Sequence, residues 1–285
     1  MRYNAGMITH MDSRLLRQYR HIEFLLEYLQ PEREPWAVAD PRSREPRGHI
    51  IVFPGSFNPP TLAHLAMLRQ ARAYARRRVG GHWQVYAALS RHIVDKEAVE
   101  RMTLLDRVVL LERVMDRYVK HAGVLLLNRG LYVEQAQGIR AAFPEVRQLL
   151  FLIGFDKIVQ ILDPRYYDDR DGALRELFGL ARLLVAPRRE DGAGELRELL
   201  ARPANRPFAR FIYPLPLADR YRDISSTDAR AAATLDIVPR EVCDFIQRTR
   251  PYAPSVRQED GTEGDCYATR TRALQEALAR EFAQT

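Results

Sequence analysis

Phe53-Pro54-Gly55-Ser56-Phe57-Asn58-Pro59-Pro60-Thr61-Leu62-Ala63-His64 follows a short apolar run, Ile50–Phe53, and leads into the helical pattern of Leu62–Arg78. The stretch has the composition of a strand-to-helix junction. Gly55 permits a tight exit from the strand, and the prolines suit a turn placed just before a helix. The helix N-terminus then offers unpaired amides to an anionic group. His64 falls within about the first turn of that helix, facing the same crevice, where a hydrogen-bond donor could hold a phosphate as charge builds on it.

Outward from this junction, short runs rich in β-branched or aromatic residues alternate with helical patterns. Ile50–Phe53, Trp83–Leu89, Val124–Leu127, Leu149–Ile153, Leu183–Ala186 and Phe211–Tyr213 read as strands. Leu62–Arg78, Val99–Val119, Tyr132–Phe143, Asp156–Leu162, Leu174–Phe178 and Glu195–Leu200 read as helices between them. Apolar strands separated by helices predict an α/β fold, a parallel sheet with helices on both faces, because parallel strands need crossover connections. In such sheets a ligand lies beyond the carboxyl ends of the strands. Functional side chains are therefore expected just after each strand.

Residues 49–250 form the expected main domain. Before it, residues 1–48 hold a helix over Ser13–Leu29, with Leu15, Tyr19, Ile22, Leu26 and Leu29 on one stripe, and a proline-rich segment with Pro31, Pro35, Pro41 and Pro46. The helix reads as an extension preceding the core, the proline-rich segment as a linker or extended wrap. After the last strand come helices over Ser226–Thr234 and Pro239–Gln247. Residues 251–285 hold a polar stretch, Ser255–Asp265, and a terminal helix over Ala268–Phe282.

The 285 residues are 46% hydrophobic, enough for one large core, which excludes a chain disordered throughout. No apolar run approaches the roughly 20 residues of a membrane helix, and Met1–Ser13 lacks a signal-peptide segment. The expectation is a cytoplasmic protein with no membrane partner. Cys243 and Cys266 have neither disulfide-framework nor metal-site spacing. The 44 basic residues exceed the 37 acidic ones, for a net charge of +7, which favours anionic partners without choosing among them. Arg69, Arg72, Arg76, Arg77 and Arg78 alternate with alanines and read as the solvated side of a helix.

A second junction, Ile224-Ser225-Ser226-Thr227-Asp228-Ala229-Arg230, opens the helix after the last strand. Ser225 or Ser226 can cap that helix, and Arg230 lies one turn further along the same side. A guanidinium suits phosphate because it stays charged and presents several fixed donors.

The first junction strongly resembles the G-[ST]-F-[DN]-P-x-[HT]-x-G-H signature of the nucleotidyltransferase superfamily, and the second resembles its I-S-S-T-x-[IV]-R motif. The resemblance implies a Rossmann-like, doubly wound sheet and an adenylyltransferase of the nicotinamide or nicotinate mononucleotide type. Such an enzyme joins AMP from ATP to a phosphorylated acceptor and releases pyrophosphate. It implies an ATP site of Gly55, Ser56, Phe57, Thr61, His64, Ser225, Ser226, Thr227 and Arg230, with His64 and Arg230 catalytic. Magnesium would be carried mainly by the ATP phosphates, with no protein metal ligands.

Thr61 stands where nicotinate-type members have a first histidine, as it does in pantetheine-phosphate adenylyltransferases. Ala63 replaces the signature glycine and adds a methyl where nucleotide approaches. Ile153-Gly154-Phe155-Asp156, followed by Tyr166 and Tyr167, resembles the G-x-D…W region of the mononucleotide enzymes, with tyrosine in place of tryptophan. Lys96, in Ser90–Lys96, resembles the substrate-side lysine loop. Arg101-Met102 resembles the opening of an R-x-x-M-[LV] helix, and Asn128–Val133 the S-Y-T segment. These place Asn58, Lys96, Arg129, Gly154, Asp156 and Tyr166 on the acceptor side.

Three other readings stay open. Thr61 suits a different phosphorylated acceptor, such as pantetheine phosphate or a phosphorylated alcohol receiving a cytidylyl group. Ala63 suits a nucleotide-binding regulator without turnover. The basic surplus suits an RNA-binding relative, but no K-M-S-K-S-like loop or aromatic-basic stripe supports a nucleic-acid partner. For the N-terminal helix the sequence offers docking on the sheet, shielding of the site, or pairing with a second subunit in a homo-oligomer.

Overall fold

Each strand between residues 50 and 186 is apolar at nearly every position, and the computed structural model shows why. Alternate side chains enter two separate cores. Ile51, Phe53, Val85, Ala87, Leu89, Val124, Leu126, Leu150, Leu152 and Leu184 face one cluster. Ile50, Val52, Tyr86, Ala88, Leu125, Leu127, Leu149, Phe151, Ile153, Leu183 and Val185 face the other. A sheet covered on both faces needs apolar residues on both. The structure describes residues 13–91, 102–187, 192–231, 235–257 and 263–282.

The strands are β1 (Ala37–Ala39), β2 (Gly48–Pro54), β3 (Trp83–Ser90), β4 (Ala122–Leu127), β5 (Val146–Gly154), β6 (Arg182–Ala186) and β7 (Ile212–Pro214). They form one sheet in the order β1-β4-β3-β2-β5-β6-β7. All neighbours are parallel except β1, which runs antiparallel to β4 along the edge. From β2 the chain winds outward through β3 to β4, then returns to the far side of β2 and continues through β5, β6 and β7. The winding reverses between β2 and β5, so the sheet is the doubly wound Rossmann-like type with its switch point at β2.

The first core lies under α2 (Leu62–Arg78), α3 (Leu104–Tyr118) and α9 (Arg240–Thr249). The second lies under α4 (Tyr132–Ala142), α5 (Phe155–Ile161), α6 (Arg170–Leu180) and α7 (Gly192–Ala201). The short α8 (Ser226–Ala231) follows β7. The expected helix over Val99–Val119 is corrected at its start. Met102 and Thr103 are not helical, and the Thr103 hydroxyl caps α3 by accepting from the Asp106 amide at 3.2 Å.

Three features of the chain ends correct or refine the sequence reading. First, α1 (Ser13–Tyr28) belongs to the core. Tyr19 and Ile22 are buried, with Leu29 just beyond, in the same cluster as Leu274 and Leu278 of α10 (Cys266–Phe282). Second, the proline-rich segment contributes β1. Buried Asn128 anchors it, donating to the carbonyls of Gln30 and Glu34 at 3.2 and 2.8 Å and accepting from the Trp36 amide at 2.8 Å. The segment presses so close to α4 that a Cβ on Gly138 would lie 2.7 Å from the Trp36 nitrogen. Third, Val256–Arg257 and Glu263–Gly264, β8 and β9, pair as a small antiparallel ribbon inside the stretch read as polar loop.

Candidate functional site

The first junction leaves β2 at the switch point. The Gly55 amide donates to the Ala88 carbonyl at 3.0 Å, extending the β2–β3 ladder by one residue before the chain turns away. Phe57 then takes a left-handed conformation, φ 45°, uncommon for a bulky residue. Its ring is buried, packing edge-on to Phe53 at 5.4 Å and tilted against His64 at 5.0 Å. Burial thus holds a backbone that would otherwise relax. The Asn58–Pro59 peptide is cis.

Thr61 caps α2 and sets the histidine at the same time. The Thr61 amide donates to His64 Nδ1 at 2.9 Å, the Thr61 hydroxyl lies 2.9 Å from the same nitrogen, and the His64 amide donates back to that hydroxyl at 3.5 Å. This is a capping box in which histidine takes the place usual for glutamate. Since Nδ1 accepts from an amide, it carries no proton, and Nε2 is the ring's donor. Burial lowers the imidazole pKa from 6.5 to about 4, so the ring is neutral at physiological pH.

The second junction folds onto the first. Arg230 Nη1 donates to the Asn58 carbonyl at 2.8 Å, and the Ser226 hydroxyl donates to the Pro59 carbonyl at 2.9 Å. Arg230 Nη2 also donates to the Thr227 hydroxyl at 3.1 Å. Ser225 and Asp228 form their own capping box. The Ser225 amide donates to Asp228 Oδ2 at 3.0 Å, the Asp228 amide donates to the Ser225 hydroxyl at 3.1 Å, and that hydroxyl in turn meets the carboxylate. The Leu62 amide donates to the Ile237 carbonyl at 2.9 Å, tying the start of α2 to the segment before α9.

The expected ATP residues therefore divide into two groups. Ser56 and Thr227 are exposed, and Gly55, His64, Ser225, Ser226 and Arg230 are partly exposed. Phe57 and Thr61 are buried, as are Asn58 of the same turn and Ala63 in α2. Asn58, expected on the acceptor side, accepts from the Tyr252 hydroxyl at 2.7 Å through its side-chain oxygen.

Among the expected acceptor residues, Gly154 ends β5, the parallel neighbour of β2, and opens α5 as its N-cap. A Cβ there would meet nothing within 4 Å, so packing does not explain the glycine, whereas open space at the switch point would admit a ligand. Asp156 is exposed in the first turn of α5. Tyr166 closes a 3-10 turn, Pro164–Tyr166, and is 37% exposed, while Tyr167 turns inward and donates to the Ile161 carbonyl at 3.0 Å. Arg129 follows β4, two strands from the first junction, and pairs with Glu134 at 3.6 Å. Lys96 and Arg101 lie outside the described residues.

Two residues at this site carried no motif. Arg107 of α3 donates through Nη1 to the Ser56 carbonyl at 2.9 Å, and Tyr252 holds Asn58. Arg107 had a signal that could have found it. Most residues from Leu104 to Met115 are apolar, and a charged pair at the start of such a helix needs partners wherever it is buried. Tyr252 had none. Among the described residues, no three His, Cys, Asp or Glu side chains gather as a metal site, and no helix is long and apolar enough to cross a membrane.

The chain is similar to a Schizosaccharomyces pombe protein provisionally named nicotinamide mononucleotide adenylyltransferase, with 27% identity over 148 residues. The match takes in 50% of this chain and 55% of that one, so it spans about half the length of the relative. Among solved structures, the crystal structure of NadR protein in complex with NAD and AMP-PNP matches at TM-score 0.30 and 15% identity, over 85% of this chain and 89% of that chain. The sequence model of the cytidylyltransferase-like family matches residues 52–232, a span that takes in both junctions, the end of β2 and every strand from β3 to β7. With its two motifs hydrogen-bonded to each other at the switch point, this chain belongs to the cytidylyltransferase-like family and through it to the nucleotidyltransferase superfamily.

Proposed function

We propose that the chain transfers AMP from ATP to nicotinamide or nicotinate mononucleotide, releasing pyrophosphate. The observation that carries the reading is the junction of the two motifs: Arg230 and Ser226 hold the Asn58 and Pro59 carbonyls of the turn that leads to His64. A neutral histidine donor and a fixed guanidinium thus border one crevice. The name of the fission-yeast relative supports the choice of acceptor.

The nucleophile would be the acceptor's own phosphate, already ionised, so the reaction needs no strong general base. The protein's work is to bring two anions into line and offset the charge between them. His64 Nε2–H would donate to the α-phosphate as it is attacked. Arg230, with the Ser225–Thr227 helix start, would take the charge of the departing pyrophosphate. Gly55 and Ser56 line the ATP side; Gly154, Asp156 and Tyr166 would receive the pyridine mononucleotide, with Arg129, after β4, further out. Lys96 is proposed for the acceptor on its sequence alone. The buried Phe57, Asn58 and Thr61 would shape the site from below.

Magnesium would supply charge neutralisation on ATP, which suits an ion that keeps its waters and needs few protein ligands. The same donor set would also serve another phosphorylated acceptor.

The test is pyrophosphate release from ATP and magnesium with nicotinamide mononucleotide, nicotinate mononucleotide and phosphopantetheine offered separately. Release with a pyridine mononucleotide, lost in His64→Ala, supports the reading. Release with phosphopantetheine alone would move the acceptor assignment, and ATP binding without release from any of the three would favour a nucleotide-binding regulator.

A further inference from the structure

Three backbone carbonyls of the first junction are each held by a side chain. Asn58 and Pro59 are held from the second motif, and Ser56 is held from α3 by Arg107. Turning these negative backbone ends into the protein favours an approaching phosphate. Arg107 is a costly way to hold the last of them. It is 5% exposed, burial lowers the pKa of its guanidinium, and its Nε is buried without a hydrogen-bond partner among the described residues. A guanidinium retained on such an apolar helix calls for a role beyond filling space.

The preceding residue fixes where Arg107 points. Asp106 is completely buried and accepts from Tyr19 of α1 at 2.6 Å, from Tyr267 of α10 at 2.5 Å, and from both Nη atoms of Arg270 of α10 at 2.8 Å. The Tyr19 and Tyr267 pKa values are both raised by burial first and by Asp106 next, so the two hydroxyls stay protonated as donors. Consecutive residues on a helix are separated by about 100° of rotation, so locking Asp106 toward α1 and α10 sets the direction of Arg107 as well.

We infer that Arg107 is a positioning residue that sets the Ser56–Asn58 turn for the nucleotide phosphates, and that the two terminal helices hold it in place through Asp106. This rests on the nucleotidyltransferase reading for its catalytic consequence, but its structural part can be measured alone. The terminal helices thereby become part of the site's support, although neither carries a motif residue.

The experiment compares the full chain with Arg107→Met, Arg107→Lys and Tyr267→Phe, reading hydrogen exchange of the Gly55–Asn58 amides, melting temperature, and kcat and KM for ATP and acceptor. Arg107→Met is expected to raise exchange of those amides at least about tenfold while the middle of α2 stays protected. It is also expected to lower kcat by about tenfold to a hundredfold, the scale of a displaced reacting group. Arg107→Lys should recover part of both effects, since an ammonium can still reach one carbonyl, and Tyr267→Phe should move both the same way by less. Unchanged exchange and unchanged kcat in Arg107→Met would overturn the inference even if the melting temperature fell.

Should Arg107→Met fail to fold, Arg107→Lys decides. Faster exchange of the turn in that variant upholds the inference, and wild-type exchange with wild-type kcat overturns it. A wild-type chain that releases no pyrophosphate defeats the functional reading, and the exchange of the turn still decides the positioning claim.

Discussion

His64 concentrates the account at the scale of the residue. Its Nδ1 is committed to the Thr61 amide, so the ring nitrogen left to donate to a ligand is Nε2. His64→Ala is expected to lower kcat by about 10²–10³-fold, as loss of one preorganised donor to a developing charge does. The stability cost should be only about 1 kcal/mol, the worth of a helix cap. Pyrophosphate release and urea unfolding of the same preparation check the pair, and equal loss of both would contradict the assignment. With its pKa held near 4 by burial, His64 should leave no inflection in kcat near pH 6.5. Its effect on stability has a definite sign. Unfolding lets the ring take a proton below its ordinary value of 6.5, so stability falls as pH drops from 6.5 toward 4 and this contribution levels off below. Thermal melts between pH 4 and 7 of wild type and His64→Ala would show the slope and its partial loss.

At the scale of the element, α3 is the piece on which the surroundings converge. Asp106→Ala would leave Arg270 buried without its carboxylate and is expected to cost about 3–5 kcal/mol in urea unfolding. One turn and a half further on, Glu112 is buried beside Asp40 and accepts from Gln18. Burial, and then the hydrogen bond to Asp40, push the Glu112 carboxyl well above its ordinary 4.5. The folded chain therefore keeps a proton that the unfolded chain releases, and stability declines as pH rises from 4.5 through the neutral range. Glu112→Gln should flatten that decline and raise the melting temperature at pH 8; a steeper decline would contradict it.

Much at this scale was legible in the sequence. Strands buried on both faces are continuous apolar runs, which is why Leu149–Ile153 and Leu183–Ala186 were recognisable. Ala37–Ala39 was not, because three small or β-branched residues among prolines carry no period and gain their ladder only from β4. The start of α3 was legible in principle from Thr103 and Asp106, an N-cap and its N3 acid, but the apolar residues upstream drew the helix too far forward. The two motifs showed which segments to compare, and Arg230 of α8 does reach the turn that leads to His64. Tyr252 was hidden, because a hydrogen bond to Asn58 194 positions away leaves no local spacing to read, and the pattern of α3 could point to a buried Arg107 but not to its partner Ser56, 51 positions away.

For the whole molecule, the chain ends and the first face of the sheet share one core. The stripe on α1 announced that something would cover it, but not that the cover would be α3 and α10. Tyr19, Ile22 and Leu29 are each at most 2% exposed. At about 1.5–3 kcal/mol for each fully buried large side chain, their removal approaches the roughly 5–15 kcal/mol by which a domain is stable. A chain lacking residues 1–30 is expected to be unfolded or aggregated, as circular dichroism and gel filtration would show; a monomer melting as wild type does would contradict the shared core. The central claim is transfer of an adenylyl group, and following the α-phosphate of labelled ATP tests it most directly. With magnesium and nicotinamide or nicotinate mononucleotide, the account predicts that the α-label enters a dinucleotide while the β- and γ-phosphates leave together as pyrophosphate. Label appearing in ADP, or remaining in ATP while the protein binds it, would contradict the account.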